Sequence, residues 1–317
     1  MYDPFMGGGT VLVEARAAGR TCWGTDLSHT ALRTARARTC TADEDFLTRL
    51  RSTARKMVEV ARSAQDEPPE HIMEPVRQWY AGHAIWELES LRQGILAADE
   101  DLRPLLEACL SSILVKVSWR KSDTSARREK HHRPAGTTAI LFHKKVRELG
   151  RRVAALRELV PEGTPPANLS LRDARQPFVA NELDLVLTSP PYPGTYDYVP
   201  MQHLRRVWFE EREGDAPDEL GSRRSWRERS RQARRTWVEG TDAWTASAAA
   251  ALKPGGVLCI VIGDGITPTG PIDTSGVTEQ SAKKAGLESI ARASIERADH
   301  ARGTSRWEHV FAFRKPE

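Results

Sequence analysis

The sequence lacks the features that would commit it to a membrane, a disulfide scaffold or a metal centre. Its longest uninterrupted apolar run is Val257-Leu-Cys-Ile-Val-Ile262, far short of the roughly 20 residues that span a bilayer. Met1-Tyr2-Asp3-Pro4 does not show the basic then apolar start of a secretory signal, so a soluble, cytoplasmic chain with no membrane partner is expected. Cysteine is scarce. Cys22, Cys40, Cys109 and Cys259 stand far apart, without the spacing of a zinc site or the density of a disulfide framework, and are expected to be reduced and mostly buried. His131-His132 has no paired cysteine or acid at ligand spacing, which argues against a metal. Neither sign of charge dominates: 47 Lys and Arg against 43 Asp and Glu leave +4, which permits a polyanionic partner without requiring one. What is present is ordinary for a globular protein, 317 residues with 39% hydrophobic and 28% charged, enough for two domains or one fold with a sizeable insertion.

The first thirty residues show a turn, a helix and a strand. Gly7-Gly8-Gly9 leads into an alanine-rich amphipathic stretch over residues 11–18 stopped by Gly19, then Thr21-Cys-Trp-Gly24 runs to Asp26. From residue 30 to about 160 the pattern is helical and highly charged, with a loop around Pro68-Pro69 and no strong strand alternation. Beyond Pro161-Glu-Gly-Thr-Pro-Pro166, strand-like segments return at 168–172, at Leu183-Asp-Leu-Val-Leu187, and at 257–262 behind the turn Leu252-Lys-Pro-Gly-Gly256. Two more are expected at 287–297 and 307–314, joined by a polar turn around Gly303. Strands separated by helical stretches predict an α/β fold with a mostly parallel sheet. The expected division is a discontinuous α/β domain, residues 1–30 and 165–317, with a helical insertion over 31–164.

Three glycines at the mouth of a helix let a ligand approach the backbone closely and leave N–H groups pointing outward, which suits a nucleotide-like ligand. A tight strand-to-helix turn explains the cluster equally well. Asp26, at the end of the next apolar segment, is placed to accept hydrogen bonds from ribose hydroxyls, or to cap a helix together with Ser28. The cluster is not the Gly-x-Gly-x-x-Gly pyrophosphate fingerprint, which speaks against an NAD enzyme.

Leu185-Val-Leu-Thr-Ser-Pro-Pro-Tyr192 is the most informative stretch. An apolar strand runs into consecutive prolines, which end the ladder and hold the turn in one shape. Ligands in open α/β sheets bind at the carboxyl ends of strands, so Ser189 to Tyr192 should face the same crevice as the glycines. There the Ser189 hydroxyl and the Pro190 carbonyl can accept hydrogen bonds from a planar amine while the Tyr192 ring stacks on a base. The plainer alternative is a Pro-Pro turn with a packed tyrosine.

Asp3-Pro-Phe-Met-Gly-Gly-Gly-Thr10 and Thr188-Ser-Pro-Pro-Tyr192 together resemble the donor-binding and catalytic motifs of the S-adenosylmethionine-dependent amino methyltransferases, which modify an exocyclic nitrogen of cytosine or adenine, mostly in DNA. Asp173-Ala-Arg175 is similar to the family's acid that holds the donor's adenine amine, and Leu252-Lys-Pro-Gly-Gly256 to the turn leading a strand of the same fold. The resemblance covers about residues 1–30 and 165–317. It implies a Rossmann-like methyltransferase fold, S-adenosyl-L-methionine as cofactor held by Asp3, Phe5, Gly7, Gly9, Thr10, Asp26 and Asp173, and a base held by Ser189, Pro190, Pro191 and Tyr192. The Ser-Pro-Pro-Tyr form leans toward N4 of cytosine over N6 of adenine, and DNA methylation within restriction-modification is the implied setting. Attack by the base nitrogen needs no covalent intermediate, only orientation and electrostatics, and a base in a duplex must first be flipped out. No cysteine follows a proline or lies in these turns, which argues against C5 methylation through a thiolate.

Trp119-Arg-Lys-Ser-Asp-Thr-Ser-Ala-Arg-Arg-Glu-Lys-His-His-Arg133 and Arg223-Arg-Ser-Trp-Arg-Glu-Arg-Ser-Arg-Gln-Ala-Arg-Arg-Thr-Trp237 interleave cations with tryptophan and hydroxyls, as suits a phosphate backbone, or as solvated helix faces. Tyr196-Asp-Tyr-Val-Pro-Met-Gln-His203 follows the proline loop and is expected to shape the base pocket or to start a helix. The insertion is a candidate for target recognition or for partner binding. Only Met1 and Tyr2 precede Asp3, whereas a central strand is typically about five residues long, so a partner chain supplying an N-terminal strand, a start placed too late, or an inactive remnant are the expectations that follow. RNA in place of DNA, or a non-catalytic nucleic-acid-binding subunit of a split enzyme, are the alternative functions.

Overall fold

The shortest strand of the sheet lies beside its centre. In the computed structural model, which describes residues 1–178, 182–211, 219–267, 270–299 and 304–317, β1 (Tyr2–Asp3) pairs in parallel with β2 (Trp23–Asp26) on one side and meets Val186 on the other. Tyr2 is anchored by more than its two-residue ladder. Its ring stacks on Phe178 with centroids 3.9 Å apart, and its hydroxyl shares a 2.8 Å hydrogen bond with Thr25. Between β1 and β2 runs α1 (Thr10–Ala17), and α2 (His29–Thr39) follows with Ser28 as its cap, accepting from the Ala31 N–H.

Next come α3 (Glu44–Ala61), α4 (Glu70–Val76), α5 (Gly82–Leu96) and α6 (Arg103–Val117). The hairpin of β3 (Arg120–Ser122) and β4 (Ser125–Arg128) precedes α7 (Thr137–Leu159). Amphipathic spacing builds these helices, whose apolar faces form a core of their own around Leu50, Leu88, Leu106, Ile113 and Phe142. The hairpin departs from the all-helical expectation. Its strands are too short for an alternating apolar pattern to announce them, and buried Arg120, donating to the Ser125 carbonyl, ties one to the other.

The chain then returns to the sheet with β5 (Asn168–Leu171) and β6 (Leu183–Thr188), the short helices α8 (Tyr198–Met201), α9 (His203–Trp208) and α10 (Arg223–Glu228), and the long α11 (Ser230–Ala251). Leu204 and Trp208 of α9 pack into the helical core, so the two regions share apolar contacts. The remaining elements are β7 (Leu252–Gly263), β8 (Gly265–Thr267), β9 (Gly270–Ile272), α12 (Thr274–Lys284), β10 (Glu288–Asp299) and β11 (Thr304–Arg314). The turn expected at 252–256 is part of β7, which Gly255 bends at φ +75°. Gly303, the expected hairpin turn, lies outside the described residues.

The seven-stranded sheet runs β10-β11-β7-β6-β1-β2-β5. β5, β2, β1, β6 and β7 are parallel, and β11 is antiparallel to both β7 and β10. This is a Rossmann-like α/β fold with a mostly parallel seven-stranded sheet. Strand order reverses between β1 and β6, and such a switch point opens a crevice beyond the carboxyl ends of the strands. All four cysteines are free thiols, Cys22 and Cys109 buried, Cys40 and Cys259 partly so. Among the described residues no helix is long and apolar enough to cross a membrane.

Candidate active site

Asp3 ends β1 and is 3% exposed. One carboxylate oxygen accepts from the Phe5 N–H at 3.1 Å and from the Thr188 hydroxyl at 2.7 Å. Burial pushes its pKa up to about 7, against the pull of the hydrogen bonds from Thr188 and Phe5. The Thr188 contact joins the two motifs directly, across 185 residues of chain.

From Asp3 the chain turns through the glycines, and Gly7, at φ +47°, donates its N–H to Asp26 at 3.0 Å. The other Asp26 oxygen accepts from the Ser28 N–H at 2.9 Å. Ser28, not Asp26, caps α2. Burial raises the Asp26 pKa, opposed by the N–H groups of Ser28, Gly7 and Leu27. A carboxylate offers about four acceptor positions, so Asp26 keeps capacity for further donors. Gly9, at φ +75°, serves packing: a Cβ there would stand 3.0 Å from that of Ala35 on α2. Thr10 is exposed and accepts from Arg38, whose guanidinium also donates to the Gly8 carbonyl at 2.8 Å. Arg38 therefore braces the glycine turn, a role that no feature of its sequence signals.

A cavity of about 860 Å³ opens beyond the carboxyl ends of β1, β2, β5 and β6. Phe5, Gly7, Asp26, Asp173, Ser189 and Pro191 all line it, gathered from four separate segments. Phe5 meets Trp244 edge-on, with centroids 5.5 Å apart. Asp173 accepts from the Arg175 backbone N–H and guanidinium; burial raises its pKa, but these bonds hold it below the usual carboxylate value. Ser189 is exposed at the cavity. Gly9 and Thr10 are not in the lining.

Two residues of the proline loop also stand outside that lining. Pro190 is buried, and the Tyr192 ring packs against β7, where a Cβ on Gly263 would come within 2.7 Å of it. The Tyr192 hydroxyl donates to Glu308 at 3.1 Å. The partly buried Tyr192 ring thus rests at the carboxyl end of β7, with its hydroxyl held by Glu308 of the neighbouring strand β11. Tyr198 of α8, 40% exposed, lines the cavity instead, with Pro200, Gln202 and His203. The segment 196–203 thus both shapes the cavity and starts helices. Trp79 and Arg120 add lining from the helical region; Arg120 belongs to the first basic stretch, whereas no motif in the sequence points to Trp79.

The basic stretches diverge. Trp226 and Trp237 of the second are 1% and 2% exposed, core residues inaccessible for stacking on a nucleic acid. Arg224 of the same stretch does line the cavity.

No family model matches the chain, and no curated protein matches it. Among solved structures, a candidate DNA modification methylase from Thermus thermophilus, complexed with S-adenosyl-L-methionine, is similar at 20% identity over 46% of this chain and 54% of that one, with a TM-score of 0.30. TrmN from Thermus thermophilus is 12% identical over 99% of this chain and 43% of that one, TM-score 0.38. An S-adenosylmethionine-dependent methyltransferase from Methanosarcina mazei is 9% identical over 99% and 91% of the two chains, TM-score 0.38. The chain spans about half the length of the Thermus thermophilus methylase. Similarity at this level assigns neither substrate nor reaction.

Proposed function

We propose that this protein is an S-adenosylmethionine-dependent methyltransferase acting on an exocyclic base amine in DNA, N4 of cytosine before N6 of adenine. The observation that carries the proposal is the hydrogen bond from Thr188 to Asp3, which sets the proline loop against the glycine turn on one cavity. The residues present suit the donor. The Gly7-Gly8 backbone leaves room at the cavity wall, Asp26 retains acceptor capacity for ribose hydroxyls, and Phe5 offers an apolar face. Asp173, also in the lining, is the acid for an adenine amine. When bound, S-adenosylmethionine supplies a methyl group on a positively charged sulfur.

The chain's own part is orientation. The Ser189 hydroxyl, exposed at the cavity, accepts a hydrogen bond from the base N–H, and the Pro190 carbonyl, whose residue is buried behind the lining, becomes the second acceptor only if the base reaches past Ser189; together they favour a more tetrahedral nitrogen with its lone pair free. The fixed φ of Pro190 and Pro191 keeps the loop from relaxing away, so the cost of ordering is met on folding. Tyr192 remains the ring for stacking on the base, and Tyr198, exposed at the cavity, offers a second one.

The test is isothermal titration of S-adenosylmethionine into the full chain and Asp26→Asn, followed by transfer of labelled methyl to DNA. Micromolar binding, weakened at least about tenfold in the variant, with label recovered on cytosine, is expected. A folded chain that binds no donor, or that labels neither base, would overturn the proposal.

A further inference from the structure

The fifteen residues 119–133 hold six cations against two acids, an excess as large as that of the whole chain. Much of this charge rides on the hairpin β3–β4, which is bolted to the cavity. Arg120 lines the cavity and donates to the Met201 carbonyl at 3.2 Å and the Pro200 carbonyl at 3.5 Å, both on α8. Arg205 of α9 grips the Asp123 carboxylate at the turn. The Trp119 N–H donates to the Trp79 carbonyl at 2.7 Å, and Trp79 is itself in the lining. Both arginines are buried and spend their donors on the protein, so their role is to fix the hairpin in place.

The cations beyond them point to a partner. Arg127, Arg128 and Lys130 are exposed, and Arg128 and Lys130 lie over the Trp119 ring at 5.4 and 5.1 Å. Among the described residues, the Ser122 and Thr124 hydroxyls at the turn bond only each other, at 3.1 Å. A two-stranded ribbon of this kind fits the major groove of B-form DNA, with cations toward phosphates and hydroxyls toward base edges.

Resting on the function proposed above, we propose that β3–β4 is a DNA-docking ribbon: it enters the major groove beside the target base, Arg127, Arg128 and Lys130 contact the phosphates, Ser122 and Thr124 meet base edges, and Arg120 and Arg205 are positioning residues that set its distance from the cavity.

The experiment follows binding of a labelled DNA duplex by fluorescence anisotropy over a range of salt. It uses the full chain, Arg127→Gln/Arg128→Gln/Lys130→Gln, and a matched trio on α11, Arg231→Gln/Arg234→Gln/Arg235→Gln. The hairpin trio should weaken binding at least about tenfold at 0.1 M salt and flatten the log–log salt slope by about 2 to 3. Its melting temperature and its titration with S-adenosylmethionine should match those of the parent chain. An unchanged slope, or an equal loss in the α11 trio, would overturn the hairpin while leaving the methyltransferase reading intact. Loss of duplex binding in a chain that transfers no methyl to DNA would sustain the hairpin and sink that reading. Preference for double-stranded RNA of equal length would overturn the ribbon assignment, since its major groove is too narrow to admit side chains.

Discussion

Residues 119–133 and 223–237 look alike as sequence, each threading arginines around tryptophans, yet they end in opposite environments. In the second, α11 turns its arginines out and carries Trp237 inward, joining Trp226 in the core with Leu258 and Phe311. A 22-residue helix has the length to separate a polar from an apolar face. The first stretch has strands of three and four residues, too short to bury much of anything. Trp119 stays half-buried beneath two cations, and two buried arginines hold the hairpin by hydrogen bonds. The lesson is that a charge run declares its role through the element it folds into, not through its composition.

The strongest way to break this comparison is truncation of the tryptophans. Trp237→Ala should cost about 3–5 kcal/mol of stability, and Trp119→Ala only about 1 kcal/mol, the size of an exposed cation–π contact. Denaturant unfolding measures both, and similar losses would erase the distinction between core and platform.

The contrast between burial and tethering extends to two acids. Asp3, driven by desolvation to a pKa of about 7, keeps in the fold a proton that the unfolded chain releases above about pH 4. Its contribution to stability is therefore complete below its ordinary pKa of 3.8 and is lost as pH rises through about 7. Asp197 is the opposite case. Burial raises its pKa, but the Arg224 N–H, the Ser222 hydroxyl and Arg223 together hold it below the ordinary value. Its contribution is present above about pH 4 and lost as pH falls through its lowered pKa. Thermal melts against pH should show Asp3→Asn flattening the neutral limb and Asp197→Asn the acid limb. A shared limb would show that both acids respond to the same cause.

The smallest effect sharpens the picture of the hairpin. Glu129 pairs with Lys121 at 3.1 Å and stands 3.7 Å from Arg127, all of them well exposed. Glu129→Gln should change stability by less than about 1 kcal/mol while tightening duplex binding, because it frees two cations. Weakened binding in this variant would count against the hairpin as a docking ribbon.

Much of the sheet is legible in the order of residues alone. The strand-like segments at 168–172, 183–187 and 257–262 correspond to β5, β6 and β7, since apolar residues alternating with polar ones in β5 and β6, and the apolar run 257–262 behind a Pro-Gly-Gly turn in β7, are local signals. The hairpin is not, because its strands are made by Arg120 and by contact with α8 and α9 instead of by alternation. Of the candidate site, Phe5, Gly7, Asp26, Asp173, Ser189 and Pro191 do converge on the cavity. Arg120 and Tyr198 join them from the basic stretch and from the segment after the proline loop, and Trp79 from a region without a motif of its own, where only packing decides which side chain faces the opening.

The amino-acid sequence by itself determined the two turns on which any function must rest. Glycine's freedom at Gly7 and Gly9 and the fixed φ of Pro190 and Pro191 are properties of single residues, expressed wherever the chain goes. The tertiary structure alone decided that Thr188 reaches Asp3, that Tyr192 lies against Gly263, and that a basic hairpin stands beside the cavity. Those outcomes depend on contacts between residues far apart in the chain, and a parallel sheet must assemble as a whole before any of them can form.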